Sequence, residues 1–125
     1  MGDQAELLKQ RVRRFALGVI ALIQRLPASE PGPTIQRQLA KSATSIDMNY
    51  RAACRARSHA EFTAKIGLVA EEADETAAWL DLIAESKLAD TSDLHPLREE
   101  ARQILAIFSA SLGTARRNRR RQADS

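Results

Sequence analysis

The chain has 125 residues, 55 of them apolar, and 22 of those are Ala against eight Ile and three Val, a balance that favours helices over strands. Its single cysteine, Cys54, excludes an internal disulfide scaffold. No run reaches the roughly 18 uncharged apolar residues of a membrane span, and the opening Met-Gly-Asp-Gln-Ala-Glu carries acids where a signal peptide needs bases, so one soluble, cytoplasmic domain is expected, with no lipid anchor and no membrane partner.

The first helix is predicted from Asp3, a good N-cap, to Leu26, because Pro27 cannot continue a helix and disfavours it in the residue before. Leu8, Val12, Phe15, Val19, Leu22, Ile23 and Leu26 recur at three-four spacing and form its apolar stripe. Pro27 to Pro33 is the one Pro/Gly-rich joint. A second helix starts near Pro33 or Thr34 and carries Ile35, Leu39, Ile46, Tyr50 and Ala53 on one side. Ser58-His59-Ala60-Glu61 reads as a capping box, which ends that helix and starts the next with almost no loop. Without that break the two would form one helix of about fifty residues and would need a coiled-coil partner.

The third helix steps by four and three through Phe62, Ile66, Val69, Ala73, Thr76, Leu80 and Ile83, a heptad seam. A second seam beside it, Leu68, Glu72, Glu75, Trp79 and Leu82, implies contact on two sides, either deep in the fold or at a subunit boundary. After a break at Lys87 to Ser92, a fourth helix begins within Thr91 to Pro96, where the proline fits only the first turn, and repeats Leu94, Leu97, Ala101, Ile104, Phe108 and Leu112. The expected fold is an all-α antiparallel four-helix bundle over residues 1–115, followed by a basic flexible tail over 116–125.

Enzyme chemistry finds little support. Di-metal bundles use Glu-x-x-His pairs, but the residues three before His59 and His95 are Ala56 and Ser92. The carboxylates Glu71, Glu72, Asp74 and Glu75 lie on one helix with no second cluster to face them, and the five glycines are too scattered for a phosphate loop. Cys54 is expected in a buried, small apolar role. No catalytic residue, metal or cofactor is therefore assigned; an enzyme would need a ligand at Glu72 and Glu75. Ser42, Ser45 and Asn49 on helix two and Glu72 and Glu75 on helix three read as one buried polar network, with Arg51 or Arg55 supplying the positive charge.

The net charge of +3 divides into +6 over residues 1–57, −8 over 59–100 and +5 over 101–125. Such segregation fits steering of a polyanion, or like subunits stacking plus to minus. Arg outnumbers Lys fifteen to four, which suits bidentate phosphate contacts. The candidate contact residues are Arg13, Arg37, Lys41, Arg51, Arg55 and Arg57, with Arg116, Arg117, Arg119, Arg120 and Arg121. Tyr50, Trp79 and the three Phe are expected to be buried, so base stacking is not.

Phe15-Ala16-Leu17-Gly18-Val19-Ile20, Ser42-Ala43-Thr44-Ser45-Ile46, Asn49-Tyr50-Arg51, Lys65-Ile66-Gly67, Glu72-Ala73-Asp74-Glu75-Thr76 and Trp79-Leu80 together resemble the bacterial four-helix-bundle family whose founding members are encoded in intervening sequences of 23S ribosomal RNA genes. The resemblance covers about residues 12 to 115 in collinear order. It implies a homo-oligomer, typically a ring of five bundles. Through the related accessory variability determinants of diversity-generating retroelements, it also implies binding of reverse transcriptase and nucleic acid by a basic surface. Ala52 stands where relatives usually place Glu, and Ala78 where an aromatic usually precedes Trp79. The expectation is thus a non-enzymatic, oligomeric bundle that binds RNA, DNA or a nucleoprotein partner through its basic surface; the alternative is a protein–protein scaffold that binds no nucleic acid.

Overall fold

Each of the four apolar stripes buries on a helix of its own. In the computed structural model, which describes residues 2–89 and 92–124, these are α1 (Gly2–Ile23), α2 (Gly32–Cys54), α3 (His59–Glu85) and α4 (Leu94–Asp124). They pack in a cycle, α1 on α2, α2 on α3, α3 on α4 and α4 back on α1, as an antiparallel bundle. Val12, Val19 and Leu22 of α1, Leu39 and Ile46 of α2, Val69, Leu80 and Ile83 of α3, and Ile104 and Phe108 of α4 are fully buried at the centre. Tyr50 meets Phe108 edge to face, with ring centroids 5.1 Å apart. Four members of the main stripes, Leu8, Phe62, Leu97 and Leu112, sit half-buried at the margin of this core.

The joints follow local chemistry. α1 ends three residues before Leu26, which nevertheless stays buried as the chain turns. At the start of α2, the Gly32 N–H donates to the Ser29 carbonyl, and a Cβ at position 32 would stand 1.9 Å from the Pro27 carbonyl oxygen; only glycine fits. Glu30 caps the same end, accepting from the Thr34 N–H and hydroxyl at 3.1 and 2.8 Å, and these bonds hold its carboxyl below the usual range. The break at Ser58 is real: Ser58 Oγ accepts from the Glu61 N–H at 3.0 Å. The return bond is displaced by one residue, Glu61 accepting from the Arg57 N–H at 3.1 Å instead of from Ser58. α3 stops where Lys87 takes a left-handed φ of 57°, with Leu88 N–H donating back to the Ile83 carbonyl. Thr91 lies outside the described residues, and α4 begins at Leu94 with Pro96 in its first turn.

The C-terminus departs from expectation. Residues 116–124 do not leave the bundle as a tail but continue α4, which is 31 residues long. Arg and Ala are good helix formers, the segment holds no Gly or Pro, and cations near a helix C-terminus oppose its dipole favourably. No described helix is long and apolar enough to cross a membrane.

Replacing Gly32 by Ala should lower stability by about 1–3 kcal/mol, because its clash is with backbone that cannot rotate away. A lowered urea midpoint with an unchanged m-value is the expected outcome.

Candidate nucleic-acid interface

Up-down connectivity makes α2 and α4 parallel, so both C-termini reach one end of the bundle. His59 Nε2 donates to the Ala115 carbonyl at 3.0 Å, tying the start of α3 to α4 there. A hollow of about 480 Å³ lined by Gln4, Leu8, Tyr50, Cys54 and Phe62 joins the start of α1 to the same end. The structure therefore brings together eight of the eleven cations singled out in the sequence: Arg51, Arg55, Arg57, Arg116, Arg117, Arg119, Arg120 and Arg121.

Partners separate these arginines from most of the others, the exposed Arg14 of α1 and Arg37 of α2 being the exceptions without an ion pair among the described residues. Arg11 grips Glu100 through Nε and Nη2 at 2.8 and 2.7 Å and Gln103 at 2.6 Å. Arg25 donates to Asp93 at 2.9 Å, and Arg98 and Arg102 approach Asp81 at 2.9 and 3.6 Å. At the basic end, by contrast, the guanidinium groups of Arg55, Arg57, Arg116, Arg119, Arg120 and Arg121 have no hydrogen bond or ion pair among the described residues, and Arg117 reaches only the Thr114 hydroxyl at 3.2 Å. Of the acids near this end, Glu61 serves as a helix cap and Glu6 pairs with Lys9 at 3.5 Å, while Asp3 at the start of α1 is exposed. Arg116, Arg119 and Arg120 line an open hollow of about 400 Å³ with Thr63 and Ala123.

Three of the eleven do not join this cluster as expected, and a fourth joins it already paired. Arg13 and Arg51 both donate through Nε to Asp47, at 2.6 and 3.0 Å. Asp47 is only 3% exposed, so its charge requires both cations. It was not singled out in the sequence, although it falls on the buried side of α2 beside Ile46 and Tyr50, with Arg51 one turn on. Arg37 and Lys41 lie towards the other end of α2, Arg37 being 18 residues before Arg55, or about 27 Å of helix. Arg37 touches the Thr34 hydroxyl at 3.4 Å.

The expected polar network also takes another form. Buried Ser42 pairs with Thr76, not with a glutamate: Thr76 Oγ1 donates to Ser42 Oγ at 2.9 Å, and Ser42 Oγ donates to the Leu39 carbonyl at 3.3 Å. Ser45 and Asn49 stand half-buried outside this pair, and Arg51 serves Asp47. Glu75 is exposed and accepts from Trp79 Nε1 at 3.3 Å. Glu72 is half-buried near Glu75, Lys41 and Glu71; burial raises its carboxyl pKa, Glu75 adds to the rise, and Lys41 opposes it. Cys54 is exposed, contrary to its expected burial, because α2 ends there. Burial, then its bond to the Cys54 thiol, pushes the Tyr50 phenol well above its ordinary value. Among the described residues no group of three His, Cys, Asp or Glu could hold a metal.

Two outcomes follow from these charges. Replacing Arg13 and Arg51 together by Met strands the Asp47 carboxylate and should cost about 3 kcal/mol, whereas Asp47→Ala frees two arginines that can turn to water and should cost about 1–2 kcal/mol, as read from urea unfolding. For Glu72, a folded-state pKa above the unfolded one means that ionisation opposes folding at neutral pH. Glu72→Gln should therefore raise Tm at pH 7, and the gain should vanish near pH 4, where both states are largely protonated.

With fold and charge layout in place, the comparisons with known proteins agree on one grouping. Residues 7–110 match the family described as 23S rRNA-intervening sequence protein. A crystal structure of a protein of unknown function from the S23 ribosomal protein family of Bacteroides thetaiotaomicron VPI-5482 shares the fold, with a TM-score of 0.77 and 24% identity over 87% of this chain and 97% of that one. No curated protein is significantly similar in sequence. Because the family match spans most of the four-helix bundle, the chain belongs to the 23S rRNA-intervening sequence protein family.

Proposed function

We propose that the protein is a non-enzymatic nucleic-acid-binding bundle whose contact surface is its basic end. The observation that supports this reading is the group of six arginines without a side-chain partner among the described residues, Arg55, Arg57, Arg116, Arg119, Arg120 and Arg121, at the end where α2 and α4 stop. Like charges held together without counter-charges repel, and a polyanion relieves that repulsion while releasing its own counterions. Contacts of this kind go to phosphates, so affinity follows salt more than sequence.

A second reading, assembly with copies of itself or docking of a protein such as a reverse transcriptase, draws on the outward sides of α2 and α3. Met48, Leu68 and Leu82 are 57, 41 and 45% exposed there, beside the half-buried Glu72. Such side chains favour a covering partner, and a ring of like subunits is one arrangement that covers them.

Salt titrations of binding to labelled RNA and DNA, with the intact chain and with residues 116–125 removed, separate the two. Removal takes away no buried side chain among the described residues and leaves a net charge of −1. Tight binding that weakens steeply with salt, and loses most of its slope with the segment, is the expected outcome. Absence of binding at low salt, with assembly intact in sedimentation, would favour the protein scaffold.

A further inference from the structure

Past its last buried residue, Ala115, α4 runs on from Arg116 to Ala123 with every side chain exposed, about 12 Å at 1.5 Å per residue. The arginines of this segment form one continuous arc of about 200° at 100° per residue, but the arc does not face uniform surroundings. Arg119, Arg116 and Arg120 occupy its first ~100°, with Ala123 between Arg119 and Arg116. These four residues, with Thr63 of α3, line the hollow of about 400 Å³. Arg117 and Arg121 continue the arc outside that lining, and Arg117 turns back to the Thr114 hydroxyl.

The lining selects for one kind of ligand. Thr63 is buried and its hydroxyl already donates to the His59 carbonyl at 2.9 Å, while Ala123 adds only a methyl group. What faces a ligand is three guanidinium groups, which donate and cannot accept, and no acid stands among the described lining residues. A ligand there must bring acceptors and negative charge, and the planar forks suit phosphate oxygens. Other hollows are built differently. The one beside Tyr50 and Cys54 has no charged lining, and one of about 320 Å³ between α1 and α4 sets Arg14 against Asp93 and Glu100. At about 400 Å³ the arginine-lined hollow is of the size that takes small organic ligands, so a phosphate with its flanking sugars has room. We infer that this hollow is the phosphate seat of the basic end: a strand's backbone lies between α3 and the projecting turns of α4, held by Arg116, Arg119 and Arg120, with Arg117 and Arg121 outside it. This rests on the nucleic-acid reading above and sets the path of the backbone across that surface.

Salt titrations of the full chain with a labelled DNA single strand and with its duplex test this. A triple variant, Arg116→Gln, Arg119→Gln, Arg120→Gln, is set against the double variant Arg117→Gln, Arg121→Gln. Glutamine keeps helix propensity while removing charge, and circular dichroism checks the fold. A second pair adds equal charge in two places. Ala123→Glu puts an acid into the hollow one turn from Arg119 and Arg120, whereas Asn118→Glu puts it about 140° round the helix, outside the lining. With whichever probe the intact chain binds more tightly, the triple variant should lose at least ten times more affinity than the double. Its salt slope should fall by up to about 0.7–0.9 for each phosphate contact removed. Ala123→Glu should bind at least threefold more weakly than Asn118→Glu at the same net charge. A smaller difference in either pair overturns the seat and leaves the broader reading standing, with the arginines acting as a diffuse cloud. If neither probe binds at low salt, both the broader reading and this inference fall.

Discussion

Alternation of direction is the constraint on which the rest of this structure depends. Helices joined by short turns must run up and down in sequence, so the ends of α2 and α4 arrive together although seventy residues separate them in the chain. Neither basic segment is unusual alone. Brought to one end, with Glu61 and Glu6 already occupied, they form a charge more concentrated than either segment presents alone. The turn at Ser58 is central to this outcome, since a continuous α2–α3 helix would have carried α3 away and left Arg55 and Arg57 on a helix side.

The bundle treats its charged groups in two ways. Where a charge lies at a helix–helix boundary it is matched closely: Asp47 by cations from two helices, Arg11 by a two-pronged bond to Glu100. Asp47 illustrates the cost of burying a carboxylate, because one arginine from its own helix is joined by a second from α1. That pairing fixes how α1 and α2 sit against one another more specifically than apolar contacts can. Where charges lie on the ends and outward sides, they are left for solvent or for something outside the chain.

The core was legible in the sequence because its signal is repetition: the main stripe of each helix reappears, mostly buried and at worst half-buried, and the Ser58 break was visible because a capping box needs four consecutive residues; the second seam of α3 finds no cover within the bundle, its Leu68, Glu75 and Leu82 being exposed and its Glu72 and Trp79 half-buried. The polar contacts were legible only where they are local. Arg51, one turn from Asp47, left a trace in the sequence, but Arg13 lies 34 residues away and reaches the same carboxylate only after α1 and α2 pack. Ser42 was expected to face glutamates because charge stood out on α3; the residue it meets is Thr76, which the heptad had counted as part of the apolar seam. The C-terminal segment was read by charge alone, and its lack of any helix breaker was the better guide.

The end-on placement of the arginines also shapes how the molecule moves in a field. With a cluster of positive charge at one end and α3's acids set along the bundle, the protein has an electric dipole with a large component along its long axis. Near a highly charged polymer such a dipole feels a torque before any contact is made, and rotational diffusion is biased so that the basic end leads. Encounters with such a polymer then begin basic end first, and the bundle behaves less as a uniform sphere than as a compass needle that has turned before it arrives.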